Sequence, residues 1–429
     1  MMVPMLPERE TRTLSPDTPG GTPVSTAFGP GGSARWMPRL VMVGLVLAAV
    51  NLRPAITSLG PLLEEVRGTL HMSGSVAGVL TSVPPLCFAV FGYTAPRLAR
   101  RFGSAPVVCA GLVAITAGLA IRPYTGGTGA FLAASALALM GIAVSNVLLP
   151  VIVKRWFPDR VGTMTGLYSM ALALGTSLAA AVTVPVTDAL GGSWRTGLAA
   201  WAVLAATAIL PWAVMARDRG DAAGKSGTRP SHTPAPGIGI ARSRTAWALA
   251  CFFGLQATGA YIAMGWLPQI FRDAGVSQGT AGVLLAVTMA LGVPLAFVIP
   301  RAAARMKNQG PLAIVLGVCG IVGYAGLYFA PAGGAWLWAL LLGISTCAFP
   351  LALTMIGMRA RTAAGVVRLS AFAQSTGYLL SIPGPLLVGV LYQHSGGWGV
   401  PIALMAALMV PQMVAGVLAG RDRTIEDEC

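Results

Sequence analysis

Twelve stretches of this chain are too apolar and too long to be anything but membrane crossings. They run near 38–58, 75–95, 105–122, 130–153, 162–185, 195–215, 246–267, 280–300, 312–330, 336–357, 367–391 and 399–419. Each is roughly 18–25 residues, enough to cross about 30 Å of hydrocarbon as a helix. Lipid offers no partner to backbone N–H and C=O groups, so such spans must be helical. A length of 429 residues would otherwise suggest two or three soluble domains. A hydrophobic share of 55% with only 10% charged residues overrules that reading.

Between the sixth and seventh spans lies the one long polar connection after the N-terminal tail, and it divides the spans six and six. The expected organisation is an all-α membrane protein of twelve transmembrane helices in two six-helix bundles. Residues 1–36 form a Pro-, Gly-, Ser- and Thr-rich disordered tail, and 37–215 the first bundle. Residues 216–244 form a cytoplasmic loop, 245–420 the second bundle, and 421–429 a short tail. A displacement of 204 residues brings Pro96-Arg97 onto Pro300-Arg301, Arg101 onto Arg305, Arg155 onto Arg359 and Trp194 onto Trp398. Several coincidences at one offset point to two related halves.

The formal charge of +15 is a topology signal. With both termini in the cytoplasm, 24 of the 29 Lys and Arg fall on that side, and the outer loops keep Arg67, Arg122, Arg195 and Arg272. No nucleic-acid partner is expected. Six cysteines without a CxxC and three scattered histidines suggest neither a metal site nor a cofactor.

One charge remains, and it lies inside the first span. From Leu40 to Val50 that span is apolar, and then Asn51, Arg53, Thr57 and Ser58 follow where hydrocarbon would continue. A buried Arg costs about 2.5–3.5 kcal/mol on insertion scales, so it normally faces protein or a watery cavity. Pro54 and Pro61 remove backbone donors and should free the carbonyls of Val50 and Thr57. No carboxylate is expected deep in a span. Glu64 and Glu65 lie about 16 Å further along the helix, too far to pair with Arg53. This combination suits a seat for a small anion or polarised solute.

Gly92 to Arg101, GYTAPRLARR, resembles the loop motif between the second and third helices of the major facilitator superfamily, with Pro96 and Ala99 in place of its usual Asp and second Gly. More specifically, Asn51 to Leu63, NLRPAITSLGPLL, is similar to the first-helix signature of the cyanate and nitroimidazole transporter family. Asn146 to Pro158, Gly265 to Pro268 and Arg368 to Tyr378 agree with it. The resemblance implies the major facilitator fold and transport of small polar or anionic solutes, with no cofactor.

In that superfamily the first, fourth, seventh and tenth helices line the cavity. The resemblance therefore nominates Arg53, Asn51, Thr57, Asn146, Gln256 and Tyr261 as solute-binding residues, and the eleventh helix adds Gln374 and Tyr378. Ser58, Ser145, Ser345 and Thr354 are more simply hydroxyls satisfied within helices, and Trp266, near a span end, reads as an interface anchor. Arg97, Arg100, Arg101, Arg301 and Arg305 are expected to form a cytoplasmic gate. Pairs such as Gly162 with Gly166 and Gly416 with Gly420 should permit close helix packing.

The expectation is a monomeric secondary transporter in the cytoplasmic membrane, moving its solute by alternating access. Arg stays protonated, so coupling cannot run through titration of Arg53. Export of toxic compounds on the same fold is the alternative. A non-transporting sensor would need a signalling domain that neither tail is large enough to supply, and an enzyme would need clustered catalytic groups.

Overall fold

The computed structural model describes residues 36–217 and 239–428. The expected N-terminal tail short of Trp36, and most of the expected central loop, lie outside these residues. The described chain is helical, with twelve helices long and apolar enough to cross a membrane. The first six are α1 (Met37–Thr69), α2 (Gly74–Phe91, continuing as helix to Phe102), α3 (Ser104–Tyr124), α4 (Thr128–Trp156), α5 (Thr163–Ala189) and α6 (Trp194–Arg217). The second six are α7 (Arg244–Asp273), α8 (Gln278–Arg305), α9 (Gly310–Phe329), α10 (Ala335–Met358), α11 (Gly365–Ser395) and α12 (Gly399–Ala419).

Local chemistry fixes where these helices begin. Ser73 starts α2 by accepting from the Val76 N–H at 3.2 Å, and Ser243 starts α7 by accepting from Ala246 at 3.1 Å. The connections before Trp194 and before Trp398 both turn through glycines with positive φ, Gly191 and Gly192 in one and Gly396 in the other. Both tryptophans stand at the start of a helix, so the repeat in sequence is a repeat in structure.

α3 packs on α4 and α6, α1 on α5 and α6, α7 on α11 and α12, and α9 on α10 and α12. The two sets of helices meet along α2–α11 and α5–α8. That seam is tight at the face opposite the chain termini, the distal face. There a Cβ on Gly389 would lie 2.4 Å from the Gly74 carbonyl, and one on Gly282 would lie 2.6 Å from that of Ala180. The Gln393 side chain also accepts from the N–H and hydroxyl of Ser75 at 3.0 and 2.8 Å. Nearer the termini face, at Gly166, the seam is met by a side chain rather than backbone: the nearest atom to a Cβ there is a Phe297 ring carbon at 4.0 Å. Gly166 therefore makes no close helix contact, and Gly162 lies outside the residues whose side chains are described. Gly416 and Gly420 do pack closely, against Ala313 and Phe252 and against Gly310.

The C-terminal tail is a strap across the termini face. Ile425 donates to the Arg359 carbonyl at 2.9 Å, and the Glu426 carboxylate accepts from Arg361 N–H at 3.1 Å. Glu428 accepts from Ser243 Oγ, Thr245 N–H and Thr245 Oγ1 at 2.7–3.0 Å, which caps the start of α7. Arg359, counted in sequence among the surface charges, is buried; its guanidinium donates to the Ala419 and Gly420 carbonyls and to Gln309 Oε1. Its counterpart across the repeat, Arg155, is exposed. Hydropathy cannot distinguish the two, because the difference lies in helix-end carbonyls that only the folded chain brings together.

Partial burial would raise the Glu428 carboxyl, but the hydrogen bonds from Thr245 and Ser243 outweigh it and hold the group below the ordinary glutamate value. A carboxyl depressed in the folded state stabilises the fold above its unfolded value. That contribution is lost as pH falls through the lower, folded value. Glu428→Gln should therefore lower the thermal midpoint by about 1–2 °C at neutral pH. It should also leave a shallower loss of stability below about pH 4.5 than in the parent chain. Unfolding in detergent across a pH series checks both.

Candidate functional site

The first span does not run straight through. Its helix ends at Asn51, Arg53 takes φ −123° and ψ −26°, and a new helical turn begins at Pro54. Pro54 has no N–H, so the Val50 carbonyl loses its helical donor. Gly175 of α5 covers that carbonyl so closely that a Cβ would sit 2.1 Å from the oxygen. The Arg53 carbonyl accepts from Ile56 N–H, Thr57 N–H and Thr57 Oγ1 at 2.9, 3.1 and 3.2 Å. Beyond the break, Arg122 at the end of α3 donates from Nη1 to the Ala55 carbonyl at 2.8 Å and from Nη2 to Ser58 Oγ at 3.4 Å. Arg122 is only 1% exposed. Expected in an outer loop, it is instead the internal brace of the broken helix, and nothing in its sequence neighbourhood marks it.

Arg53 itself is half-buried at this break. Among the described residues no carboxylate lies within ion-pair distance of it. Its guanidinium carbon stands 5.9 Å from the centre of the Phe88 ring on α2. It also faces the phenols of Tyr261 on α7 and Tyr378 on α11. Phe88 stacks on Tyr378 across the seam, with centroids 5.1 Å apart and planes 19° apart. Phe253 meets Tyr378 edge-on at 5.2 Å and Phe349 of α10 at 5.8 Å. One fixed cation thus sits among aromatic faces and phenols contributed by both halves. Phe88, Phe253 and Phe349 were not legible as site residues, because a phenylalanine in an apolar span carries no mark of what it faces.

A second polar cluster ties the two bundles together at the distal face. Arg272 of α7 makes a two-pronged contact with Glu65, at 2.8 and 3.1 Å, and lies 3.0 Å from Glu64. Arg272 also donates to the Pro61 carbonyl at 3.2 Å, and Gln278 of α8 donates to that carbonyl and to Glu65 at 3.0 Å each. The broken segment of α1 therefore holds the charge at one end and a latch to the other bundle at the other. Glu64 and Glu65 were visible in sequence, but their partner lies 207 residues away from Glu65.

The remaining nominated residues divide. Asn51 is buried and donates to the Leu47 and Leu204 carbonyls at 2.8 and 3.3 Å, which ties the break to α6. Thr57, also buried, closes the turn at Arg53. Both were expected to hold solute, yet their donors go to backbone. Asn146 is half-buried and makes no hydrogen bond among the described residues. Gln374 donates to Ser370 Oγ at 2.7 Å. Gln256 lies apart from Arg53, in a cavity inside the second bundle with Ser345. Ser145 Oγ is buried without a partner, whereas Thr354 bonds within its own helix to Pro350. Trp266, expected as an interface anchor, is fully buried against Tyr392 and Trp398. Of the arginines expected at the gate, Arg97, Arg100, Arg101, Arg301 and Arg305 are exposed on the termini face. Arg301 rests over Phe297 and bonds its carbonyl at 3.2 Å, and Arg101 rests over Phe102.

Comparison with known proteins places this geometry. Residues 45–382 match the family model described as Major Facilitator Superfamily. The chain is 36% identical over 396 residues to the 2-nitroimidazole transporter of Escherichia coli (strain K12), covering 90% of this chain and 97% of that one. It is 30% identical over 375 residues to the cyanate transport protein CynX of the same organism, covering 87% and 95%. In fold it is similar to a bacterial homologue of the human lysosomal transporter Spinster, in an inward-facing and occupied conformation. That match has a TM-score of 0.72 at 14% identity, over 90% of this chain and 97% of that one.

The brace and the close approach at the break give one prediction. Arg122→Leu leaves the Ala55 carbonyl and Ser58 without their donor, and Gly175→Val drives a side chain into the Val50 carbonyl. Each loss or clash of this kind costs about 1–3 kcal/mol. Both variants should melt several degrees below the parent in detergent, whereas Arg122→Lys, which keeps a donor, should recover part of the loss.

Proposed function

Because the chain belongs to the major facilitator superfamily, and so is a membrane transporter rather than an enzyme, we propose that it is a secondary active carrier of a small planar solute. That solute is anionic or strongly polarised, cyanate-like or nitroimidazole-like. The observation that carries this reading is the Arg53 guanidinium, which has no carboxylate partner among the described residues and stands beside Phe88, Tyr261 and Tyr378. A negative charge about 4 Å from a guanidinium gains about 4 kcal/mol where the effective dielectric is near 20. Aromatic faces add selectivity for flat solutes by offset stacking. Phenol hydroxyls can donate to the solute's acceptors. Asn51 and Thr57 serve by holding the break that aims Arg53, and Asn146 and Gln374 offer amides nearer the termini face.

The carrier lies in the cell membrane with both termini in the cytoplasm, a reading supported by the distribution of Lys and Arg. The sealed distal face is then the outer one, and the termini face is the inner one. The conformation fits an inward-facing carrier, and the arginines 97, 100, 101, 301 and 305 line the side that must close next. Alternating access requires the outer latch to break and re-form. Its members suit that task, because Arg272 is 17% exposed, Glu65 31% and Glu64 54%. Ion pairs this wet contribute about 1 kcal/mol or less each, within reach of the energy that a solute supplies on binding. The Pro61 carbonyl, bonded to Arg272, gives occupation of Arg53 a mechanical route to the latch. The twelve helices close on one another within one chain, and the working unit is a monomer.

Export of flat toxic compounds on the same scaffold is the second reading, favoured by the aromatic walls. The direction of net flux in oriented vesicles separates it from uptake.

In proteoliposomes offered cyanate and 2-nitroimidazole, Arg53→Ala should lose at least about tenfold in apparent affinity or flux, the scale of one charged hydrogen bond. Arg53→Lys should recover only part. Normal transport by both variants would remove the proposed role. Independently, Arg272→Ala should raise the labelling rate of a cysteine placed at Thr81, a buried residue of α2 that lines a cavity with Tyr261 and Gly265, by an impermeant thiol reagent applied from the distal face. An unchanged rate would show that Arg272 does not hold that face shut.

A further inference from the structure

A second buried site lies inside the other bundle, away from Arg53. A cavity of about 20 Å³ is lined by Gln256 of α7, Tyr324 of α9, Ser345 and Thr346 of α10, and Gln412 of α12. A space of that size holds one water or one small ion. Gln256 is 6% exposed and Gln412 3%, and the amide oxygen of each is buried with no hydrogen-bond partner. Leaving one such acceptor unsatisfied costs about 1–3 kcal/mol, so two at one cavity favour an occupant that presents hydrogens or positive charge to both. The backbone adds an independent pointer. The helix Ala335–Thr346 ends at this cavity, is interrupted at Cys347, and resumes at Ala348. The C-terminal end of a half-helix carries partial negative charge and favours cations, and interrupted helices in carriers place such ends at coupling-ion sites. Every side chain that offers a polar atom here offers an oxygen, and none is ionised: two amides, two hydroxyls and a phenol. Hard monovalent cations take neutral oxygen ligands of this kind, while a doubly charged ion would call for carboxylates.

We propose that this cavity is a sodium-ion site. Gln256 and Gln412 supply amide oxygens, Ser345 a hydroxyl, and the end of the Ala335–Thr346 helix its dipole. The ion is positioned to couple to solute movement, a role that rests on the carrier reading above. Sodium binding itself does not rest on it. α7 joins the two sites, since Gln256 at the ion stands one helical turn from Phe253 and between Phe253 and Tyr261, which belong to the aromatic group around Arg53. An anion at Arg53 and a cation at Gln256 would load opposite charges together.

The test begins without solute. Purified protein is melted at constant ionic strength in sodium chloride, potassium chloride and N-methyl-D-glucamine chloride. Sodium should raise the thermal midpoint by about 2 °C or more, with a saturable dependence on its concentration. Gln412→Leu and Gln256→Leu should each move the half-saturating sodium concentration upward at least tenfold, and Gln412→Glu should move it downward. No sodium-specific rise in the parent would overturn the site and assign the cavity to water alone. A rise that persists unchanged in both leucine variants would overturn it equally, by placing the ion elsewhere. The coupling role is then read from solute flux with and without sodium. Flux indifferent to sodium, in a protein that binds it, would remove coupling. If Arg53→Ala transports normally while the sodium shift persists, the solute reading fails and the ion site stands.

Discussion

The structure depends on a helix that is allowed to break so that a charge can be kept. A guanidinium without a carboxylate is costly inside a membrane, and the local chain is arranged to bear it. Pro54 interrupts α1, Thr57 closes the new turn, and Asn51 ties the end of the first segment to α6. Gly175 allows α5 to cover the freed Val50 carbonyl, and Arg122 satisfies the carbonyl of Ala55. Asn51, Thr57 and Arg122 each use a polar side chain to hold backbone. Arg53 alone among them is left with its charge facing aromatic rings and phenols rather than a counter-ion.

The same segment ends at Pro61, where Arg272 and Gln278 from the opposite bundle take the carbonyl. Arg53 and the Pro61 carbonyl are therefore two ends of one short strut of broken helix. In a four-residue turn followed by a 3-10 turn, small rotations at Arg53 need no bending of a continuous helix to reach Pro61. Elsewhere in the seam, glycines at Gly74, Gly78 and Gly389 bring α2 and α11 into backbone contact. Partly exposed ion pairs and glycine-lined backbone contacts together make up this seam.

Much of this was legible in the chain. The twelve helices follow from hydropathy because lipid leaves the backbone no alternative. The repeat at Trp194 and Trp398 was visible because helix starts need the same glycine-bearing turn in each half. Arg53 stood out because a charge in a span has few explanations. The rest required contacts between distant residues. Arg122 and Arg359 read as surface charges, since burial against helix-end carbonyls leaves no local pattern. Phe88 and Phe253 were indistinguishable from lipid-facing phenylalanines until Tyr378 was placed against them. Gln256 was recognised as a polar group at depth, yet its sequence could not say which cavity it entered.

The central claim, that Arg53 is a seat for a small anion, is tested most directly by locating one. Selenocyanate is linear, anionic and close in shape to cyanate, and selenium scatters anomalously. A structure of the protein with selenocyanate should place the anomalous peak beside the Arg53 guanidinium, between Phe88, Tyr261 and Tyr378. A peak elsewhere, with Arg53 turned to lipid or locked against an acidic side chain, would contradict the account.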